Sequence, residues 1–243
     1  MAKASATEVA MFIERLAPIA IEQAKKHGNK LFPSVTIAQA GHECGWGTSS
    51  TMMKYNGLYG FKVGNSAYHF GNAWKGASYS TKTKEYYNGS QSPTVIRDNF
   101  RAYDNWSDAT EDYMDLLCHA SRYKNALNRA TPEESITAIV QGGYATGPSY
   151  ASKIIEIIRV HDLKKYDSGE TFKPITPELI LAIINGEYGE GSVRQAKLTA
   201  QGYNYSEVRK KINDLDKIGK SCLPDIKNKA GDYWLSVVRL MGL

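Results

Sequence analysis

The sequence has no apolar run long enough to cross a bilayer, no dense basic segment and only three cysteines in 243 residues. A membrane-spanning helix needs about 20 predominantly apolar residues, so no helical span is encoded and no stable membrane insertion is expected. The lysine pairs Lys25-Lys26, Lys164-Lys165 and Lys210-Lys211 read as solvated helix faces, and a net charge of +5 is too mild to point to nucleic acid as a partner. Cys44, Cys118 and Cys222 have no metal-ligand spacing and leave one over from any pairing, as expected of free thiols in a reducing compartment. The N-terminus reaches Glu8, Glu14 and Arg15 before a signal-type apolar core accumulates, so the expectation is a chain made in the cytoplasm without a signal peptide. Phenylalanine is scarce at six, whereas tyrosine reaches sixteen; its flat apolar ring with a polar tip suits a sugar or peptide surface and equally a core.

What is present divides by pattern. Val9, Phe12, Ile13, Leu16, Ile19 and Ala20 recur at helical spacing over about Thr7 to His27, with Pro18 expected to break or bend the helix. "FPSVTIAQAGHEC" follows as a second helix with Ser34 as its N-cap, a face of small residues, and Gly45 and Gly47 as terminators. From about Asn56 to Tyr103 glycines, aromatics and β-branched residues take over. Asn88-Gly89 marks a hairpin turn between Thr81–Tyr87 and a return through Val95 and Phe100. Helical patterns resume at Ser107 to Ala120, after the cap Thr131-Pro132 with Glu134, and from Ser149 to His161. This order predicts an α+β fold, mostly helical with a small β-lobe, over residues 1–166. A polar, aperiodic linker at 167–176 leads to a small all-α module at 177–243. Its three short helices are expected at Pro177–Asn185, Ser192–Ala200 and Ser206–Leu215, with one more possible in the C-terminal tail "DYWLSVVRLMGL".

"AQAGHECGWG", residues 38–47, sets three reactive side chains in a row. A helical zinc site wants histidines at i and i+4, and position 46 is Trp, so His42 has no partner of that kind. Cys44 as a nucleophile would need a base such as His69, His119 or His161, and it stands at a helix C-terminus, where the dipole does not favour a thiolate. Glu43 lies where a helix gives way to a Gly-Trp-Gly turn among apolar neighbours. Desolvation there would raise its pKa, as a general acid requires, although a helix-end Glu also serves as an ordinary solvated or paired residue.

Five ordered segments, "LFPSVTIAQAGHECGWGTS", "YNGLYGFK", "TKTKEYYNG", "DNFRAYDNWSDATEDYMDLL" and "GGYATGPSYASKIIEII", resemble the family-73 glycoside hydrolases, the peptidoglycan endo-β-N-acetylglucosaminidases. The resemblance implies a lysozyme-like fold and cleavage of the β-1,4 bond between N-acetylglucosamine and N-acetylmuramic acid, with no cofactor or metal. It matches Glu43 to the catalytic acid and Glu85 to a β-lobe glutamate that acts as second carboxylate. Alternatively, the substrate's acetamido group is the nucleophile and Glu85 orients it. Tyr144 matches a tyrosine near the cleaved bond. Asn56, Tyr59 and Gly60 match cleft-lining residues, and Trp46 and Tyr150 are placed with them as substrate-binding. The chain departs from the pattern at Cys44, where Ser is usual, and at Gly147, where Asp is usual. Residues 177–215 resemble a CW-seven type cell-wall-binding repeat, which implies wall contacts at Tyr188, Arg194, Gly202 and Tyr203. Together these imply a phage endolysin acting on bacterial peptidoglycan after release. The alternatives are an amidase or cysteine endopeptidase using Cys44, or a non-catalytic wall-binding protein.

Overall fold

The computed structural model describes residues 4–64, 68–85, 94–169, 172–173 and 175–222. Side chains of 84, 85 and 216–222, the Asn88-Gly89 turn and the tail after 222 lie outside the described residues. The chain divides into two compact units, 1–170 and 171–243.

Unit 1 opens with α1 (Ala6–Lys26), started by a reciprocal cap in which Ser5 accepts from the Glu8 amide and Glu8 accepts from the Ser5 amide. Pro18 does not break it. The residue is exposed, and the opposite face, from Val9 through Leu16 to Ala24, is buried along the whole length. The packed stripe thus offsets the local cost of one lost helical bond. α2 (Pro33–Cys44) is the most enclosed helix, with Ile37, Ala38, Gln39 and Ala40 wholly buried, and it packs against α1, α5 (Pro132–Gln141) and α6 (Tyr150–Val160). Its first turn differs from expectation. Phe32 occupies the cap position without a side-chain bond, and Ser34, the second residue of the helix, instead donates both its amide and its hydroxyl to Asp167, each at 2.8 Å. A carboxylate from 133 residues away therefore supplies the cap. Asp167, counted by composition as linker, is part of unit 1.

The short α3 (Ser50–Lys54) leads to an antiparallel hairpin, β1 (Ser78–Glu85) and β2 (Thr94–Arg101), registered Ser78 to Arg101 and Glu85 to Thr94. The β-lobe is smaller than the composition suggested, because the described residues of 56–64 and 68–77 are mostly turn and loop. Arg101 anchors it. Its Nη1 donates to both oxygens of the buried Asp112 on α4 (Trp106–His119) at 3.0 and 2.8 Å, Nη2 donates to the Tyr68 carbonyl, and the Tyr103 hydroxyl completes Asp112 at 2.6 Å. An Arg and an Asp both removed from water need this degree of mutual satisfaction. Asn105 and Thr131 cap α4 and α5 through the amides of Asp108 and Glu134. Ser149 makes no side-chain cap bond to α6.

Unit 2 holds α7 (Pro177–Ile184), α8 (Gly191–Ala200) and α9 (Tyr205–Cys222) around Leu179, Ile180, Ile183, Leu198, Val208 and Leu215. α9 runs about two turns beyond the expected Leu215. No helix among the described residues is long and apolar enough to cross a membrane.

Candidate active site

The centre of unit 1 is built on one face of α2, where Gln39 and Glu43 stand one turn apart. The Tyr113 hydroxyl, from α4, donates to Gln39 Oε1 at 2.5 Å. Gln39 Nε2 donates to the Tyr150 hydroxyl at 3.1 Å, and that hydroxyl donates to Glu43 Oε1 at 2.5 Å. Tyr113, Gln39 and Tyr150 are all buried. The result is a directed chain of hydrogen bonds that ends on the carboxyl. Burial holds the Glu43 carboxyl above the usual carboxylate range, and the bond from Tyr150 works against that rise without cancelling it.

The end of α2 fixes where the carboxyl sits. Gly45, Trp46 and Gly47 have φ of 62, 57 and 86°, three successive left-handed residues. For a residue as bulky as Trp this conformation needs support, and the ring finds it. It covers Gly41, where an added Cβ would lie 2.5 Å from Cζ3, and it meets Phe12 edge-on at 5.8 Å and His161 at 4.9 Å. Trp46 is thus a brace for the turn. Tyr59 is buried, stacks on Tyr113 at 4.1 Å and donates to Thr110. Asn56, left-handed at φ 52°, donates to the carbonyls of Tyr103 and Asp104, and Gly60 makes a positive-φ turn. These hold the loop in place. Tyr150 is the partner of Glu43, buried beside it.

Tyr144 joins this cluster, its ring 6.0 Å from Tyr150 and 6.3 Å from Tyr113. Its hydroxyl is buried without a hydrogen-bond partner, and Glu43 and Tyr150 act on it electrostatically. Glu85 ends β1, paired through its backbone with Thr94; its side chain lies outside the described residues. Cys44 is fully buried and its thiol is pushed up to about 11 by burial, so thiolate is scarce at neutral pH. His69 and His119 are engaged by the Val63 and Asp115 carbonyls, and His161 by Trp46. Among the described residues no group of three or more His, Cys, Asp or Glu is placed to hold a metal ion.

With this geometry in view, residues 17–163 match the family model described as mannosyl-glycoprotein endo-beta-N-acetylglucosaminidase. The chain belongs to this glucosaminidase family. Residues 178–215 match the CW_7 repeat. The exo-glucosaminidase LytG of Bacillus subtilis is 32% identical over 169 residues, which are 68% of this chain and 54% of LytG. The peptidoglycan hydrolase FlgJ of Vibrio parahaemolyticus is 33% identical over 150 residues, 60% of this chain and 45% of FlgJ. The chain thus spans about half the length of these curated relatives. The catalytic domain of the autolysin Auto from Listeria monocytogenes superimposes with a TM-score of 0.56 at 31% identity, covering 69% of this chain and 91% of that one. A glucosaminidase-family domain explains the mostly helical unit with its two-stranded lobe.

In unit 2 the four expected wall-contact residues make internal bonds. Tyr188 donates to Gln201 at 2.7 Å, Arg194 Nε donates to the Gly189 carbonyl at 2.9 Å, and Gly202, at φ 83°, accepts from the Lys173 amide at 2.7 Å. The Tyr203 ring lies near the Lys173 ammonium. Sequence reasoning missed Gln39, Tyr113 and Asp167. Gln39 carried a usable signal, since it stands four residues before Glu43 on a helix.

Proposed function

We propose that the chain hydrolyses peptidoglycan at the β-1,4 bond between N-acetylglucosamine and N-acetylmuramic acid, with Glu43 as general acid. The observation that carries this reading is a desolvated carboxyl at the end of α2, held by Tyr150 within the family-matched segment. A carboxyl whose proton is retained toward neutral pH can protonate the leaving oxygen as an oxocarbenium-like state forms. Tyr144, whose ring packs 6.0 Å from that of Tyr150, stands beside the proposed acid and shapes its surroundings. Glu85, or the substrate's acetamido group, supplies the second stabilising function. The CW_7 repeat holds the enzyme on the wall, with Arg194, which lines a small pocket with Arg209 and Tyr205, recognising carboxylates of the glycopeptide.

The test is digestion of purified walls by the parent chain and by Glu43→Gln, with mass spectrometry of the products. New reducing ends at N-acetylglucosamine, lost in the variant, support the reading. New amino termini identify a peptide or amide cutter, and equal clearing by both chains removes Glu43 from the mechanism.

A further inference from the structure

A groove of about 560 Å³ lies between α3 and the outer part of the hairpin, lined by Ser50, Thr51, Lys54, Tyr55, Ser80, Thr81, Lys82 and Arg97. Lys54, Lys82 and Arg97 give it three cations and no lining residue gives it a carboxylate. Lys82 and Arg97 are directly opposed in the antiparallel register, both exposed. Opposed like charges disfavour a strand pair, so this arrangement works against the hairpin unless an anion joins the two. Lys54 reaches only the face of Tyr55, at 5.3 Å, and no ion pair among the described residues engages any of the three. Asp98, the nearby acid of β2, is held by Lys62 at 3.1 Å. The hydroxyls of Ser50, Thr51, Ser80 and Thr81 add donors suited to oxyanion oxygens.

Resting on the wall-hydrolase reading, we propose that this groove binds an oxyanion-bearing part of the wall polymer, through charge-assisted bonds from Lys54, Lys82 and Arg97. Two sources share that chemistry in a cell wall: carboxylates of the peptide stems and phosphodiesters of attached polymers. Binding here would hold the β-lobe end of unit 1 on its substrate and would draw on none of the groups around Glu43.

The test uses the full chain carrying Glu43→Gln, so that walls survive, with and without Lys82→Gln and Arg97→Gln. Cosedimentation is measured on intact walls, on walls stripped of phosphodiesters, and on stripped walls whose carboxylates are amidated. Each neutralised cation is expected to weaken binding to intact walls about fivefold at low salt, with the difference disappearing at high salt. Lys82→Arg should bind like the parent. The melting temperature of the Gln variants should hold or rise, because a repulsion has been removed. If stripping erases the difference between parent and variants, phosphodiesters are the ligand; if only amidation erases it, the carboxylates are. Equal binding by parent and Gln variants on all three preparations overturns the proposal alone, as does a difference that survives both treatments. No wall binding by the parent overturns the wall-hydrolase reading with it.

Discussion

Tyr150 and Glu43, 107 residues apart in sequence, meet through a 2.5 Å hydrogen bond in which the tyrosine hydroxyl donates to Oε1. Because Gln39 Nε2 occupies the same hydroxyl oxygen as a donor, the hydroxyl proton has one direction left, toward Glu43. Oε1 is thereby committed as an acceptor. When Glu43 is protonated its proton rides on Oε2, and Oε2 is then the atom that delivers it in the proposed mechanism.

Tyr150→Phe should shift the pH profile in a defined direction. The Tyr150 bond favours ionised Glu43 and opposes the effect of burial, so its loss leaves the carboxyl higher still. A general acid works while protonated, so the alkaline limb of kcat/KM should move to higher pH while kcat falls about tenfold. A limb that stays in place would show that another group titrates there.

Gln39→Met, close in volume and unable to hydrogen-bond, removes the link between Tyr113 and Tyr150. With two buried hydroxyls losing a partner, the unfolding free energy should drop by about 2 kcal/mol. The kinetic signature is a fall in kcat with KM little changed, because the proposed acid loses its orientation and substrate contacts persist. A change confined to KM would place Gln39 in binding instead.

Glu43→Gln should stabilise the fold near neutral pH. The folded-state carboxyl titrates above its unfolded value, so ionised Glu43 costs stability once pH passes the ordinary glutamate range, and the cost is complete above the folded pKa. Replacing it should add about 1 kcal/mol near neutrality. That gain should fade toward about pH 4, where the unfolded chain is protonated as well. Thermal melts at the two pH values measure it.

Cys44→Ser should retain most wall-clearing activity, with stability changed by no more than about 1 kcal/mol, because the amides of Gly47 and Trp46 that face the sulfur can also serve a hydroxyl. Folded parent enzyme should also resist iodoacetamide at this thiol. Loss of all activity in the variant, without unfolding, would revive a thiol mechanism.

A chain ending at residue 170 should be more stable than one ending at 166, by about 1 to 2 kcal/mol, because the shorter form lacks the Asp167 cap on α2. Asp167→Asn in the longer chain should fall between them. Equal melting temperatures for the two truncations would remove Asp167 from the account.

Much of the helical frame was legible because its signals are local. Thr131, Pro132 and Glu134 announce α5 within four residues, and Gly45 ends α2 as expected. Ser34 misled because its polar partner arrives from the far end of the unit, and no local pattern reports that. Pro18 misled because a helix is judged by its packed face, which a residue on the solvent side interrupts little. Among the tyrosines, composition gives no means of separating ring from cleft wall: Tyr59, Tyr113 and Tyr150 carry the same letter, and burial makes the first a packing element and the other two links to an acid. Glu43 stood out through its place at a helix end. Gln39, uncharged within an apolar run, did not.

The bond from Ser34 to Asp167 also orders events in time. During synthesis the helix that carries Glu43 leaves the ribosome more than 120 residues ahead of the carboxylate that closes its first turn. Until that late segment emerges, the helix is a nascent element with an open end. The Glu43 carboxyl therefore acquires its final setting only as unit 1 is finished, and the last residues of that unit act as the latch on the earliest part of the site.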